Sequence, residues 1–338
     1  MSNRAAIIHT PKAPLVIEEV EKYTPGPQEL LIKNTSIAFN PIEWKVARLA
    51  ILPIEYPAIL GFSFGGTVEA IGSDVTNFHV GERVATSGSG PGNKYGAYQL
   101  YALSKAESTI KLPDNVSMDA ASSVMINFKT VAAILTATAG LDSPKLEQVP
   151  AKGKKVLIYG GTSSVGSLAI QYATQAGYTV ISTTSPKHEA FVSTLGAAKL
   201  IDHTQTEDAL REALIAEGPY QLVVDTISLG RTVYITADVL KAQGGGTLYT
   251  LQPPFGPETL PEGVTRHFAP YTSILAEPEH KSLLEYLAND YLPKALAEDK
   301  LKPIPIEKVN GGLAGVDAAL TKGFGGLSGV KMVLNPQG

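Results

Sequence analysis

The chain has 338 residues, 44% hydrophobic and 18% charged, with a formal net charge of −4 and no cysteine. These values exclude a disordered or collagenous chain, any disulfide and any thiolate metal site, and they argue against a broad basic footprint for nucleic acid. At roughly 150 residues per domain the length predicts two domains. The apolar stretch at 5–8 is broken by His9 and Pro11, so no signal sequence is expected. No run is read as a membrane span, and a soluble protein of a reducing, cytoplasmic compartment is the expectation.

Taken in order, residues 15–20, 29–37, 66–71 and 97–101 mix apolar and β-branched side chains between Pro25-Gly26-Pro27, Gly61, Gly72 and Pro91-Gly92. That is the pattern of short strands, and with no long helical period among them a β barrel is predicted for the first 120 residues. Ser117 suits the N-cap of a helix over 118–125, and a second apolar helix is predicted over 130–139. After a loop with Asp142, Ser143, Pro144 and Pro150, strands are predicted at 155–159, 179–183, 199–202, 221–225 and 247–251. They alternate with helices at 164–176, 189–195, 208–216 and 233–242, and 264–269 is a candidate sixth strand. Such alternation predicts an α/β unit with a parallel sheet covered on both faces. The tail adds a helix over 279–288, an amphipathic stretch over 313–321 and a strand over 331–334, and it can return to the first domain.

The strand at 155–159 runs into Gly160-Gly161-Thr162-Ser163-Ser164-Val165-Gly166 and then a helix. Strand, glycine-rich turn and helix N-terminus are what a dinucleotide pyrophosphate needs, because backbone can approach and free N–H groups face the charge. Gly161 and Gly166 fit the G-x-G-x-x-G pattern, whereas Ser163 takes its middle position. The loop after the next strand, Ser182-Thr183-Thr184-Ser185-Pro186-Lys187-His188, has hydroxyls and a cation but no carboxylate before Glu189. A ribose 2′-OH is usually held by an acidic residue there; this pattern suits a 2′-phosphate, hence NADPH.

Gly61-Phe62-Ser63-Phe64-Gly65 spells the G-x-S-x-G of a hydrolase nucleophile elbow, which works only on a strand-to-helix turn. Here a β-type run follows to Gly72, and nothing marks His267 or His280 as a partner, so the hydrolase reading is set aside. The six histidines show no metal-ligand spacing. His9 and His79 read as surface residues, and Trp44 as core.

The β-rich front, central dinucleotide unit and returning tail resemble the medium-chain dehydrogenase/reductase superfamily over nearly the whole chain. Pro25-Gly26-Pro27, Asn40-Pro41-Ile42-Glu43-Trp44-Lys45, the Gly61–Gly66 segment with Thr67-Val68, and Gly81-Glu82-Arg83-Val84 carry the likeness. The resemblance implies a GroES-like catalytic domain at 1–122, a Rossmann NADPH-binding domain at 123–271 and a return to the catalytic domain at 272–338. Zinc-binding members place Cys near position 40 and Gly-His-Glu near 61; Asn40 and Gly61-Phe62-Ser63 stand here, so the zinc-free branch is implied. Within it, Asn-Pro-x-[Asp/Glu]-Trp-Lys and the Thr-Ser-Pro-Lys-His loop look most like fungal enoyl reductases acting in trans with polyketide synthases. Ser63 departs from the acidic residue common in relatives.

The chemistry implied is hydride transfer from NADPH to an electron-poor C=C bond, then protonation of the neighbouring carbon. By the resemblance Lys45 is a hydrogen-bond donor to substrate, Asn40 lies near nicotinamide and substrate, and Thr130 touches the nicotinamide end. Gly161, Thr162, Ser163, Ser164, Val165 and Gly166 would cradle the phosphates; Ser185, Lys187 and His203, where relatives often have Tyr, would read the 2′-phosphate. The expected substrate is a small or carrier-bound enoyl thioester, with an acyl-carrier or polyketide synthase partner. A quinone or enone reductase and a non-catalytic NADPH-binding protein are the alternatives. Arg266 and His267 in the candidate outer strand, which runs into Pro270, favour a monomer over a dimer.

Overall fold

Strand pairing sorts the chain into two units. In the computed structural model, which describes residues 2–88 and 90–338, Met1–Ile126 with Glu285–Gly338 form one unit and Asn127–Leu284 the other. The divisions expected at 122/123 and 271/272 fall before these two points.

The first unit begins with β1 (Asn3–Ile8), β2 (Val16–Val20), β3 (Glu29–Ala38), α1 (Pro41–Leu49), β4 (Ala58–Ile59), β5 (Ser63–Ile71), β6 (Arg83–Ser87), β7 (Tyr101–Lys105) and β8 (Thr109–Lys111). β1 pairs with β2 and β4 in a small sheet. β3 is buried along nearly its whole length because both its edges are used, by β5 on one side and by β7 and the final strand on the other. Its side chains and those of β5 feed a core with Ile8, Ile32, Phe39, Phe64, Tyr98 and Leu320.

Three local readings are corrected here. A helix, α1, interrupts the β-rich front; nine residues starting Asn-Pro are too short to show a helical period, and the start is marked by capping instead. The strand expected at 97–101 lies at Tyr101–Lys105. Side chains pin the preceding segment: Asn34 donates to the Ala97 and Gln99 carbonyls (3.1 and 2.8 Å), and Gln99 to that of Gly96 (2.7 Å). The two helices expected at 118–125 and 130–139 are one, α2 (Met118–Ala132), continuing into a π-helical turn at Ala133–Thr138. No glycine or proline separates them, and the wide turn closes with the Ala139 N–H on the Ile134 carbonyl, 2.9 Å. The continuous segment is long and apolar enough to cross a bilayer, which the expectation of no such run missed. However, 67% of its apolar window is buried, as in a core helix.

The second unit alternates β9 (Lys155–Tyr159), α3 (Ser164–Gln175), β10 (Thr179–Thr184), α4 (Glu189–Val192), β11 (Lys199–Asp202), α5 (Glu207–Ala216), β12 (Leu222–Asp225), α6 (Gly230–Ala242), β13 (Gly246–Thr250), β14 (Val264–His267) and α7 (Tyr271–Ile274). All six strands run parallel in the order β11-β10-β9-β12-β13-β14. This is the doubly wound 3-2-1-4-5-6 arrangement, whose ligand crevice lies beyond the carboxyl ends where the order reverses, at β9. β14 is the outer strand, as expected, but Arg266 does not blunt it. Its side chain is 7% exposed, paired with Glu258 at 2.5 Å.

The tail carries α8 (Lys281–Tyr286), a π-helical turn at Leu287–Tyr291, α9 (Leu292–Ala297), β15 (Ile306–Val309), α10 (Val316–Phe324) and β16 (Lys331–Leu334). The single helix expected over 279–288 is thus the end of a 3-10 turn (Pro278–His280), then α8, then the start of the wide turn. β16 pairs antiparallel with β3 and parallel with β15, so the tail completes the barrel unit. α10 lies on α1, with Arg48 donating to the Asp317 carboxylate (2.7 Å) and the Trp44 ring against Gly323.

Gly66 sits in β5 opposite Asn34, beside an irregularity in the β3–β5 register, and a Cβ there would run into the Lys33 carbonyl. Since backbone must move to admit it, Gly66→Ala is expected to destabilise the protein by about 1–3 kcal/mol. Urea denaturation of both proteins measures this, and an unchanged midpoint would show that the pairing yields freely.

Candidate active site

The glycine-rich turn is set by hydroxyls from the two strands flanking β9. The Gly160 N–H donates to Thr183 Oγ1 at 2.8 Å and the Gly161 N–H to the Thr183 carbonyl at 2.9 Å. From β12's end, Thr226 Oγ1 lies 2.8 Å from Ser163 Oγ and from the Tyr159 carbonyl. Gly166 must lack a side chain, because a Cβ would meet the Gly160 carbonyl. Ser163 is the N-cap of α3 and accepts the Gly166 N–H at 2.9 Å. The residue that departs from the glycine pattern therefore does a capping job that glycine cannot. Thr162, Ser163 and Ser164 are half-exposed. The first-turn N–H groups of Ser164 and Val165 have no carbonyl four residues back within the helix. This donor set fits a pyrophosphate.

The residues expected to read the 2′-phosphate lie at or just after the neighbouring carboxyl ends. Thr184 and Asp202 are in register on β10 and β11, and the His203 N–H donates to the Thr184 carbonyl at 3.1 Å. This holds His203 beside Ser185. Lys187 is exposed on the single 3-10 turn Pro186–His188. Asp202, at the end of β11, accepts the Thr204 N–H and hydroxyl, both at 2.8 Å, and the backbone bond holds its carboxyl below the usual range. Thr130 is half-buried in the last turn of α2, in the same unit.

Asn40 and Lys45 belong to the barrel unit, where α1 starts from a buried polar hub. Glu43, 0% exposed, accepts four hydrogen bonds: from the Asn40 N–H (2.7 Å), the Asn40 amide (2.9 Å), the Phe62 N–H (2.9 Å) and the Tyr98 hydroxyl (2.8 Å). Burial raises its carboxyl above the ordinary value, and the four donors oppose that rise. The Asn40 amide also donates to the Ala38 carbonyl (3.1 Å), and its oxygen accepts from Lys331 Nζ at 2.6 Å. At 2% exposure this is the setting of a helix cap, and it lends no support to contact between Asn40 and substrate. Lys45 is half-buried on α1, and burial lowers its ammonium below the usual lysine value. Ser63 is 0% exposed at the first position of β5, with Oγ accepting the Ile126 N–H at 3.3 Å, so it is no nucleophile elbow.

Sequence reasoning passed over Glu43, Tyr98, Lys331, Thr183 and Thr226. The Asn-x-x-Glu spacing was a legible capping signal for Glu43. The others had none, since their partners lie far away in the chain.

Residues 26–114 match the alcohol dehydrogenase GroES-like domain family. The trans-enoyl reductase tndF of Aspergillus flavipes is 31% identical, over 98% of both chains. The trans-enoyl reductase tazE of Aspergillus terreus is 33% identical over 71% of this chain and 82% of its own. Among solved structures, the quinone oxidoreductase of Pseudomonas syringae superposes with a TM-score of 0.76 at 28% identity, covering 99% of this chain and 100% of the other. A GroES-like barrel joined to a Rossmann unit defines an oxidoreductase fold. The chain belongs to the medium-chain dehydrogenase/reductase superfamily.

Burial lowers the Lys331 ammonium from 10.5 to about 8, while Glu43 pulls the other way. Between those two values the folded chain binds fewer protons here than the unfolded chain, so this group makes stability rise with pH. Below pH 8 both states are charged and the burial penalty is fully present. Denaturant midpoints of wild type and Lys331→Met at pH 7.5 and 10 should show wild type gaining on the variant. A constant difference would mean that Lys331 titrates as an ordinary lysine.

Proposed function

We propose that the protein is an NADPH-dependent, zinc-free reductase of activated C=C bonds, with an enoyl thioester as substrate. The observation that supports the cofactor assignment is the corner at the ends of β10 and β11, where the His203 backbone is bonded to Thr184, the turn carrying Ser185 and Lys187 follows, and Asp202 accepts from Thr204. Gly161, Thr162, Ser163, Ser164, Val165 and Gly166 would hold the pyrophosphate, and Thr130 the nicotinamide end. The acceptor assignment is supported by relatives named trans-enoyl reductases over most of the chain. A carrier-bound substrate, presented by an acyl carrier or polyketide synthase, belongs to the same proposal. For the zinc-free reading the support is the donor set: Asn40 and Gly61-Phe62-Ser63 stand where zinc-binding members of the superfamily have Cys and Gly-His-Glu, and the chain has no cysteine.

Bound NADPH supplies the hydride. The chain's task is to orient the alkene and to stabilise the negative charge that develops on the conjugated oxygen. Lys45 is suited to this, because a half-buried ammonium loses less of its field to water than an exposed one. Asn40 contributes through α1, whose first turn it fixes. A quinone is the second reading, favoured by the likeness to the Pseudomonas syringae enzyme. NADPH oxidation assayed with an enoyl thioester, a simple enone and a quinone, with a chelator present throughout, tests the proposal. Preference for the thioester supports it, preference for the quinone selects the second reading, and tight NADPH binding without oxidation would reduce the protein to a cofactor binder.

Lys45→Ala should lower kcat about a hundredfold, on the order of 3 kcal/mol for one lost donor to a developing oxyanion. NADPH affinity should hardly move, since Lys45 belongs to the barrel unit; unchanged turnover would return it to an ordinary surface role.

Lys187→Ala should weaken NADPH by about 10- to 150-fold, because a charge-assisted hydrogen bond contributes roughly 1.5–3 kcal/mol. NADH, lacking the 2′-phosphate, should bind variant and wild type alike. Titration of both cofactors decides, and parallel losses would show that Lys187 does not read the phosphate.

A further inference from the structure

Lys331 opens β16 and is 3% exposed, yet its partner Asn40 lies 291 residues earlier in the chain. Burying an ammonium in a barrel wall is costly, and an apolar side chain of similar length would fill the space more cheaply. What the ammonium adds is direction. The Asn40 side chain stands between a cation and a carboxylate. Only its oxygen can accept from Lys331 and only its nitrogen can donate to Glu43, so the amide has one permitted orientation. Glu43 in turn holds the Asn40 and Phe62 backbone N–H groups. The relay Lys331–Asn40–Glu43 thus clamps the first turn of α1, and Lys45 follows Glu43 by two residues on that same helix. The geometry points to Lys331 as a positioning residue for Lys45, acting through the Asn40 amide and the start of α1. This rests on the role for Lys45 given under the proposed function.

Two readouts separate this inference from that role. The first is kinetic: Lys331→Met and Asn40→Ser are compared with wild type for kcat and NADPH affinity. Asn40→Ser keeps a good N-cap residue but loses the bridging carbonyl. Both should lower kcat by at least tenfold, toward the about 100-fold loss that misplacing a catalytic group by an ångström can cause, with NADPH affinity within about twofold. The second readout does not need turnover: the titration of Lys45, followed by NMR of 13C-dimethylated lysines and assigned with Lys45→Arg. Burial holds that titration below the ordinary value in wild type; each variant should move it upward. The double variant should move it no further than either single one, because the pair acts as a unit.

Folded variants with wild-type kcat and wild-type Lys45 titration would overturn the inference. Additive shifts in the double variant would overturn it too, as they would show two independent effects. If wild type reduces none of the three acceptors, the proposed function falls while the Lys45 titration still decides the coupling. Should Lys331→Met fail to fold, Asn40→Ser carries both readouts alone.

Discussion

A carboxylate withdrawn from water sets the terms for the barrel unit. Once Glu43 is buried, each of its oxygens must be met by donors, because an unpaired ion in the interior is among the most expensive features a fold can carry. The donors come from separate stretches of chain: the Asn40 backbone and side chain, the Phe62 N–H beyond β4 and the Tyr98 hydroxyl ahead of β7. Meeting them fixes where α1 begins, how the Gly61–Phe62 segment approaches it and why residues 97–100 cannot run as a plain strand. The buried Lys331 belongs to the same constraint, since it supplies a countercharge one amide away.

The Rossmann unit solves a similar problem with hydroxyls. Thr183 and Thr226 flank the glycine turn and satisfy its backbone, and Ser163 caps α3. The carboxylate buried nearby, Asp225, is met by the Ile227 and Ser228 N–H groups and by the Thr232 hydroxyl. All of these partners follow within seven residues, so the turn after β12 is locally determined. The contrast between Asp225 and Glu43 is one of range: the first is met within seven residues, the second by donors up to 55 residues away and by a countercharge from the far strand β16.

That contrast explains what could be read in advance. The alternation from β9 to β14 was legible because parallel strands buried on both faces read as apolar runs, and Gly177 and Gly196 punctuate the helices. The α1 helix was hidden by its brevity, although Asn40-Pro41 and Glu43 spelled its start. The strand at Tyr101–Lys105 was misplaced by several residues because hydrogen bonds from Asn34 and Gln99 outweigh the β-propensity of the preceding segment. Lys331 was read only as the first residue of a terminal strand. Nothing near it in sequence signals a buried ammonium, since the carbonyl it serves lies at the other end of the chain.

The early and late parts of the barrel unit meet through the β3–β16 ladder, through α10 on α1 and through Lys331 on Asn40. A growing polypeptide can assemble the contiguous parallel sheet as soon as β14 has emerged, because every strand in that sheet is already present. The barrel has no such option. Its fullest strand, β3, has an incomplete edge, and Glu43 stands without its countercharge, until β16 is synthesised. Long-range pairing of this kind is slow to form and leaves apolar strand surface exposed while it waits. Order of synthesis therefore runs against order of completion: strands made before the parallel sheet are sealed after it.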